Sequence, residues 1–248
     1  MSKPLVLITG ASNGIGASTA ILAAQNGYDV AFTYLQDKKS AEKIAEQIKT
    51  LGADALIIQA DVAIEADILK IFDAIDKKFN RLDALVNNAG ILRQKLFSET
   101  DYNELQKLFA VNVIGSFICA REAIKRMAKS KGGSGGSIVN VSSIASRLGS
   151  PFEYIDYAAT KGAIDSFTIG LAKEVADEGI RVNAVRPGII NTELHAKGGE
   201  PGRIERIAPS VPMKRAGEPI EVAQAILWLM SDQSSFTTGH LLDIGGGR

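Results

Sequence analysis

The chain has a single cysteine, Cys119, among 248 residues. No intrachain disulfide can form, and nothing in the sequence asks for an oxidising compartment. Histidine is scarce as well. His195 and His240 stand far apart, and with one thiol they offer no metal-ligand set at a credible spacing. Neither sign of charge is in excess, since 28 Lys and Arg balance 28 Asp and Glu. A neutral chain with 6% aromatics carries no global electrostatic footprint for nucleic acid or an anionic membrane. No apolar run approaches the ~20 residues of a membrane span. Met1–Thr9 holds one Lys and a short apolar run that breaks at Gly10, unlike a secretory leader. The expectation is a cytoplasmic protein acting on a small molecule, with no metal, nucleic acid or membrane among its partners.

Hydrophobic residues make up 46% of the chain, ordinary for a globular protein and incompatible with disorder throughout. Short apolar runs near Leu5–Thr9, Asp29–Tyr34, Asp54–Gln59, Ala84–Asn87, Ser137–Val141, Arg181–Val185 and Leu241–Asp243 read as strands. Helix-period segments lie between them, near Ile15–Asn26, Ser40–Leu51, Glu65–Phe79, Tyr102–Ser130, Tyr157–Glu178 and Pro219–Ser231. This alternation predicts an α/β fold, a doubly wound parallel sheet of about seven strands with helices on both faces. It fills residues 1–248 as a single domain, and Gly132–Ser137 reads as a loop entering a strand. Leu105, Leu108, Phe109, Val113, Phe117, Ala120 and Ile124 form one apolar stripe, and Val111, Ile114 and Ile118 a second. Two stripes on one helical segment are more than a sheet can cover, so a homo-oligomer is expected.

Glycine is slightly abundant, at 24 residues, and several glycines sit where a ligand would need them. The first strand runs into Thr9-Gly10-Ala11-Ser12-Asn13-Gly14-Ile15-Gly16 and then a helix pattern. A glycine turn there lets backbone approach a pyrophosphate, with free amides and the positive helix end facing it. The next strand ends in Tyr34, Leu35 and Gln36, with no carboxylate before Asp37 and with Lys38 and Lys39 following. An acid at that end would repel a 2′-phosphate. Its absence favours NADP(H) and leaves NAD(H) possible, because Asn13 and Leu35 stand where a clamping Arg would.

Tyr157 and Lys161 are four apart at the start of a helix pattern, so phenol and ammonium share a face. A cation at ~4 Å with an effective dielectric of ~20 favours phenolate by up to ~4 kcal/mol, about three pKa units. The pair has the composition of a proton-transfer site. Upstream, Ser137–Val141 is a strand that ends in Ser142 and Ser143.

With Gly10–Gly16, Asn87-Asn88-Ala89-Gly90, Asn112, Ser143, Tyr157 with Lys161, and Arg186-Pro187-Gly188 in order, nearly the whole chain resembles the short-chain dehydrogenase/reductase family. It looks most like bacterial members of the glucose-1-dehydrogenase and 3-oxoacyl-[acyl-carrier-protein] reductase kinds. The resemblance implies a Rossmann-type domain acting on CH–OH groups, with a tetramer as its assembly. Tyr157 would be the acid in reduction and the base in oxidation. Lys161 would lower its pKa and hold the nicotinamide ribose. Ser143 would hydrogen-bond the substrate oxygen, with Ser142 nearer the cofactor, and Asn112 would hold a water of a proton relay. Gly10, Ser12, Asn13, Gly14, Ile15, Gly16 and Tyr34 would bind the cofactor. Asp61 and Val62 would meet the adenine, and Asn88, Ala89 and Gly90 would form the floor. Pro187, Gly188, Ile190 and Thr192 would receive the nicotinamide.

Ser143 stands fourteen positions before Tyr157, one more than the family's spacing, which leaves Ser142 and Ser143 as alternatives. The loop Ser146–Asp156 absorbs the extra residue. Residues 193–210, with Gly198, Gly199 and Gly202, would form a substrate lid, in which His195 reads either as a substrate contact or as a solvated loop residue. Lys214 and Arg215 form a small basic pair that could meet an acidic carrier protein. The expected reaction interconverts a secondary alcohol and a carbonyl with NADP(H). An NAD-dependent glucose-type dehydrogenase and a 3-oxoacyl thioester reductase are the alternative enzymes. A dinucleotide-binding sensor is the non-enzymatic one, and its mark would be a broken Ser–Tyr–Lys set.

Overall fold

The computed structural model describes residues 3–248. Its strands are β1 (Leu5–Ile8), β2 (Asp29–Tyr34), β3 (Ala55–Gln59), β4 (Ala84–Asn87), β5 (Gly136–Val141), β6 (Ile180–Pro187) and β7 (Leu241–Ile244). They form one parallel sheet in the order β3-β2-β1-β4-β5-β6-β7. Among the described residues ten α-helices accompany them: α1 (Gly14–Gln25), α2 (Lys38–Thr50), α3 (Glu65–Lys78), α4 (Tyr102–Phe109), α5 (Gly115–Met127), α6 (Ala145–Leu148), α7 (Ile155–Glu174), α8 (Leu194–Lys197), α9 (Arg203–Ile207) and α10 (Pro219–Met230). The strand order reverses between β1 and β4, which is where a doubly wound sheet opens a crevice for a ligand.

The strands are mostly apolar because both faces are covered, and their period of two sorts the apolar side chains into two cores. Val6 and Ile8 of β1 join Val30 and Phe32 under α1, α2 and α10. Leu5 and Leu7 point the other way, into a core with α3, α5 and the far end of α7. In α3, Ile68, Ile71, Phe72 and Ile75 recur at helical spacing and are all buried. Each contributes roughly 1.5–3 kcal/mol of transfer free energy. Cys119 lies in this second core, and burial pushes its thiol up to about 12, so it packs as a small apolar group.

The helix expected over 102–130 is not continuous. Between α4 and α5 the backbone takes one π-helical segment, Ala110–Ile114, the kind of local widening that recurs at functional sites. Two contacts accompany it. The Asn112 carboxamide clasps the backbone of Ile91, accepting from its N–H and donating to its C=O, both at 2.9 Å. A Cβ on Gly115 would lie 2.5 Å from the Val62 carbonyl oxygen. Of the two stripes, Val111 and Val113 are buried, whereas Phe109, Ile114 and Phe117 remain partly exposed. Helix α7 is tied to the sheet by a buried polar ladder in which Asn87 donates to Asn140 and Asn140 to Thr168, each at 2.9 Å. That ladder fixes the height of α7, and so of its first two turns, against the strand ends.

Candidate active site

The cleft is built at the carboxyl ends of β1, β4, β5 and β6. Gly10 takes φ +65°, and a Cβ there would approach Ala89 Cα to 3.0 Å. A Cβ on Gly16 would lie 2.5 Å from Asn88 Nδ2 and 2.8 Å from the Gly10 oxygen. Gly14, at φ +57°, faces the Thr192 methyl at 3.3 Å on the same construction. These glycines let three backbone segments close on one another. α1 opens with no side-chain cap from Asn13 and no acid in its first turn, so its first amides stay free to receive an anion.

Threonines the sequence reading did not single out hold the cradle. Thr9 Oγ1 accepts from the N–H groups of Asn88 and Ala89, both at 3.0 Å. Thr33 Oγ1 accepts from Gly10 N–H at 2.9 Å. Asn88 Nδ2 in turn donates to the carbonyls of Thr9 and Gly10 at 2.8 Å.

Gly10, Ser12, Asn13, Gly14 and Ile15 line the cleft directly, and Gly16 supports it from behind. Tyr34 corrects the expectation. It is buried in the core with Ala41 and Ala45 of α2, because its place on β2 turns it inward, and the neighbouring Thr33, Leu35, Gln36 and Asp37 line the cleft instead. Asp37 is engaged at the start of α2, where Oδ1 accepts from Ser40 N–H at 3.0 Å. Ser40's hydrogen bonds hold its carboxyl below the usual range, with Lys197 and Lys43 adding to the effect. Asp61 and Val62 line the same end, and Asp61 Oδ1 accepts from Ala63 N–H.

At the other end Tyr157, Lys161, Ser142 and Ser143 meet, with Asn88, Ala89, Gly90, Pro187, Gly188, Ile190 and Thr192 on the walls. Ser143 hydrogen-bonds the Tyr157 side chain, whereas Ser142 Oγ donates at 2.6 Å to Asp165 Oδ1. Of the two serines, Ser143 is therefore the one bonded to the phenol and Ser142 the one bonded to a carboxylate. Between the serines and Tyr157 lie α6 and a turn in which Ser150 and Phe152 adopt φ of 45° and 65°, a left-handed backbone costly for non-glycine residues.

Lys161, 4% exposed, sits over the Tyr157 ring at 5.5 Å from its centroid and donates at 2.7 Å to the Val141 carbonyl. The expected lowering of the phenol by the ammonium is not what the folded chain shows. Burial raises Tyr157 above its ordinary value, with the Ser143 hydrogen bond opposing. Burial also pulls Lys161 down to about 8. Desolvation wins because the ammonium's hydrogen bond goes to backbone. Asn112 is behind this pair rather than on the cleft surface, donating to Thr160 Oγ1 at 3.2 Å. A Cβ on Gly90 would lie 3.5 Å from Asn112 Oδ1 and 3.7 Å from Lys161 Nζ, so the three adjoin.

Residues 193–210 are not the plain loop that their lack of apolar period implies. They form α8, α9 and one 3₁₀ turn, and Leu194, His195, Lys197 and Arg203 line the cleft. Arg203, only 2% exposed, is held by Glu153 at 2.9 and 2.6 Å, by Glu200 at 2.9 Å and by the Tyr154 hydroxyl at 2.5 Å. Arg206 pairs with the same two glutamates. This two-Arg, two-Glu latch joins the segment to the turn just before Tyr157. Tyr154, which no lysine follows at i+4, is an edge-on neighbour of Tyr157 at 5.4 Å. His195 is not solvated: burial and the nearby Arg203 pull it down to about 4. Arg215 is taken by Glu221 at 2.7 and 2.6 Å, and Lys214 donates to the Pro209 carbonyl.

The whole cleft measures about 990 Å³, at the top of the ~300–1,000 Å³ range of ligand pockets. Residues 10–248 match the family model described as Enoyl-(Acyl carrier protein) reductase. The chain is 53% identical over 245 residues to the uncharacterized oxidoreductase YgfF of Escherichia coli (strain K12), covering 98% of this chain and 99% of that one. It is 35% identical to the 3-oxoacyl-[acyl-carrier-protein] reductase FabG of Staphylococcus aureus (strain Mu50), covering 97% and 96%. A crystal structure of 3-ketoacyl-(acyl-carrier-protein) reductase from Brucella melitensis complexed with NADH superposes with a TM-score of 0.90 at 34% identity, covering 99% and 98%. The chain belongs to the short-chain dehydrogenase/reductase family.

As a member of that family it is an oxidoreductase, and the family binds NAD(P)(H). The residues present fit a dinucleotide: the places where a Cβ would close the cradle are all glycine, and the helix behind it is uncapped. Family motifs located Tyr157, Lys161 and the glycine turn. They gave no hint of the latch, whose four members come from two segments with no periodic signal.

Proposed function

We propose that this short-chain dehydrogenase/reductase interconverts a secondary alcohol and a carbonyl with NADP(H) as the preferred cofactor. The observation that carries the reading is the meeting of Ser143, Tyr157 and Lys161 on one wall of a cleft whose other end is the glycine cradle. Gly10, Ser12, Asn13, Gly14 and Ile15, backed by Gly16, hold the pyrophosphate. Asp61 and Val62 take the adenine, and Pro187, Gly188, Ile190 and Thr192 take the nicotinamide end over the floor of Asn88, Ala89 and Gly90. When bound, the cofactor supplies or accepts the hydride.

The chain's own residues handle orientation and the proton. Ser143 holds the substrate oxygen beside the phenol. Tyr157 gives its proton to that oxygen in reduction and takes it back in oxidation. A phenol raised by burial is a safe proton reservoir at neutral pH, and it must be lowered by its neighbours for the reverse direction. Lys161 supplies the cation, and Asn112, adjoining it across Gly90, holds the water that resupplies the proton.

The preference for NADP(H) rests on the adenosine end. β2 brings no carboxylate there, and the first one, Asp37, is drawn into the start of α2 by Ser40. Lys197 and Lys43 both act on Asp37 there, and Lys38 and Lys39 open α2 directly after it. We read residues 1–248 as one catalytic and dinucleotide-binding domain, and residues 193–210 as its lid. The partly exposed Phe109, Ile114 and Phe117 fit a contact with a second copy in a homotetramer.

The test is oxidation of NADPH and NADH across simple ketones, sugar carbonyls and acetoacetyl thioesters. Turnover with NADPH preferred is the expected result. Tight binding of a dinucleotide with no turnover on any carbonyl contradicts the enzymatic reading and favours the sensor. Turnover with NADH preferred contradicts the cofactor assignment.

A further inference from the structure

Helix α7 carries a third polar side chain in register with Tyr157 and Lys161. Asp165 stands four residues beyond the lysine, on the same face. Its Oδ1 accepts from Ser142 Oγ at 2.6 Å, and the same hydroxyl lies 3.2 Å from the Lys161 carbonyl oxygen. Its Oδ2 is 3.4 Å from Arg186 Nη1 of β6. Arg186 Nε donates at 2.6 Å to Asp243 of β7, and Asp243 accepts from Arg147 of α6 at 2.7 Å. The carboxylate is therefore anchored from two sides, by Ser142 after β5 and by Arg186 of β6, one turn beyond the lysine.

Lys161 is a buried cation without a partner of its own kind. Its ammonium donates to a backbone carbonyl, and among the described residues no carboxylate oxygen lies in salt-bridge contact with it. The groups that adjoin the ammonium from other elements are the Val141 carbonyl at the end of β5, Gly90 in the loop after β4, and Asn112 of the π-helical segment across Gly90, all uncharged. The charged or titratable groups facing it are Tyr157 and Asp165 on its own helix, with Arg186, Asp243 and Arg147 beyond Asp165. A desolvated ammonium loses its proton unless a negative charge opposes this, and Asp165 is the one placed to do so.

We propose that Asp165 is a positioning residue: anchored by Ser142 and Arg186, it is the counter-charge that keeps the buried Lys161 protonated beside Tyr157. The proposal rests on the proton-transfer reading of that pair for its catalytic meaning, but the protonation itself can be read directly. Burial alone draws Lys161 down, to about 8 with the Asp165 carboxylate pushing the other way. Neutralising Asp165 removes the charge that opposes burial there.

The experiment is an NMR titration of the whole protein carrying ¹³Cε-lysine, with the Lys161 signal identified by its loss in Lys161→Met. Asp165→Asn is expected to move the Lys161 midpoint down by at least about one pH unit, and Asp165→Glu to restore most of it. Asp165→Ser, which removes the same charge with a smaller polar side chain, is expected to move it down likewise, and this variant decides the matter should Asp165→Asn fail to fold. A midpoint unmoved in the charge-removing variant that folds overturns the proposal.

Reductive turnover gives the second readout. If the charged lysine is needed, activity falls as pH rises through about 8, and Asp165→Asn moves that fall to lower pH. Full turnover in Tyr157→Phe would remove the proton-transfer reading and leave the lysine titration to judge Asp165 alone.

Discussion

The two ends of the cleft are made of different materials. The cradle end is backbone: three glycines, the free amides at the start of α1, and threonine hydroxyls that pin one loop to the next. The substrate end is side chain: a buried phenol and ammonium, and a latch of two arginines and two glutamates. Backbone sites tolerate no added atom at fixed positions and are insensitive to pH. Side-chain sites depend on charges whose balance can be titrated or unpicked. One cleft thus joins a rigid backbone cradle to a wall of charged side chains.

The sharpest way to break that contrast is at Gly16. Gly16→Val places atoms where even a Cβ would lie 2.5 Å from Asn88 Nδ2. It is expected to abolish dinucleotide binding in a fluorescence titration, with the far-UV circular dichroism kept. Binding within a few-fold of wild type would mean that the cradle is elsewhere.

At the substrate end, Arg203→Leu leaves Glu153 and Glu200 with only Arg206. Breaking a buried pair costs about 3 kcal/mol, which corresponds to a fall in Tm of roughly 6–12 °C for a chain of this size. KM for the carbonyl substrate is expected to rise while the dinucleotide Kd stays put. A matching loss of dinucleotide affinity would show that the two ends are not independent.

Acid offers a smaller and subtler test. His195 has a folded value of about 4, below the ~6.5 of an unfolded histidine, so the unfolded chain takes up its proton first. Its contribution to stability is complete above pH ~6.5 and is lost as pH falls toward 4. Glu200, held at about 2 by Arg206 and Arg203, adds stability that goes only at still lower pH. Tm measured from pH 7 to pH 4 is expected to fall less steeply in His195→Gln than in wild type, with cofactor affinity in both unaffected by the substitution. Parallel curves would contradict the buried neutral imidazole.

The same division explains what could be read from the sequence. Strands and helices of the first half follow from periodicity, and Gly10, Gly14 and Gly16 announce a backbone site because only glycine does that work. Tyr34 misled because a strand end alternates inward and outward, and its neighbours Thr33 and Leu35 hold the outward places. Thr9 and Thr33 were invisible because a threonine in a strand is ordinary until its hydroxyl is seen to hold a loop. The break at Asn112 has no propensity signal, since it comes with the carboxamide's grip on Ile91, a tertiary contact. Glu153, Glu200, Arg203 and Arg206 give no sequence signal, because pairing across fifty residues leaves no local pattern. Asp165 was legible in principle: it continues the four-residue step from Tyr157 through Lys161.

The most direct test of the account joins both ends of the cleft in one protein. Tyr157→Phe should be compared with wild type for NADPH binding and for carbonyl reduction under the same conditions. Loss of turnover by about 10²–10⁴-fold, the usual worth of a positioned proton donor, with dinucleotide affinity unchanged, is the expected result. Turnover near that of wild type would contradict the assignment of Tyr157, and with it the claim that this wall of the cleft carries the chemistry.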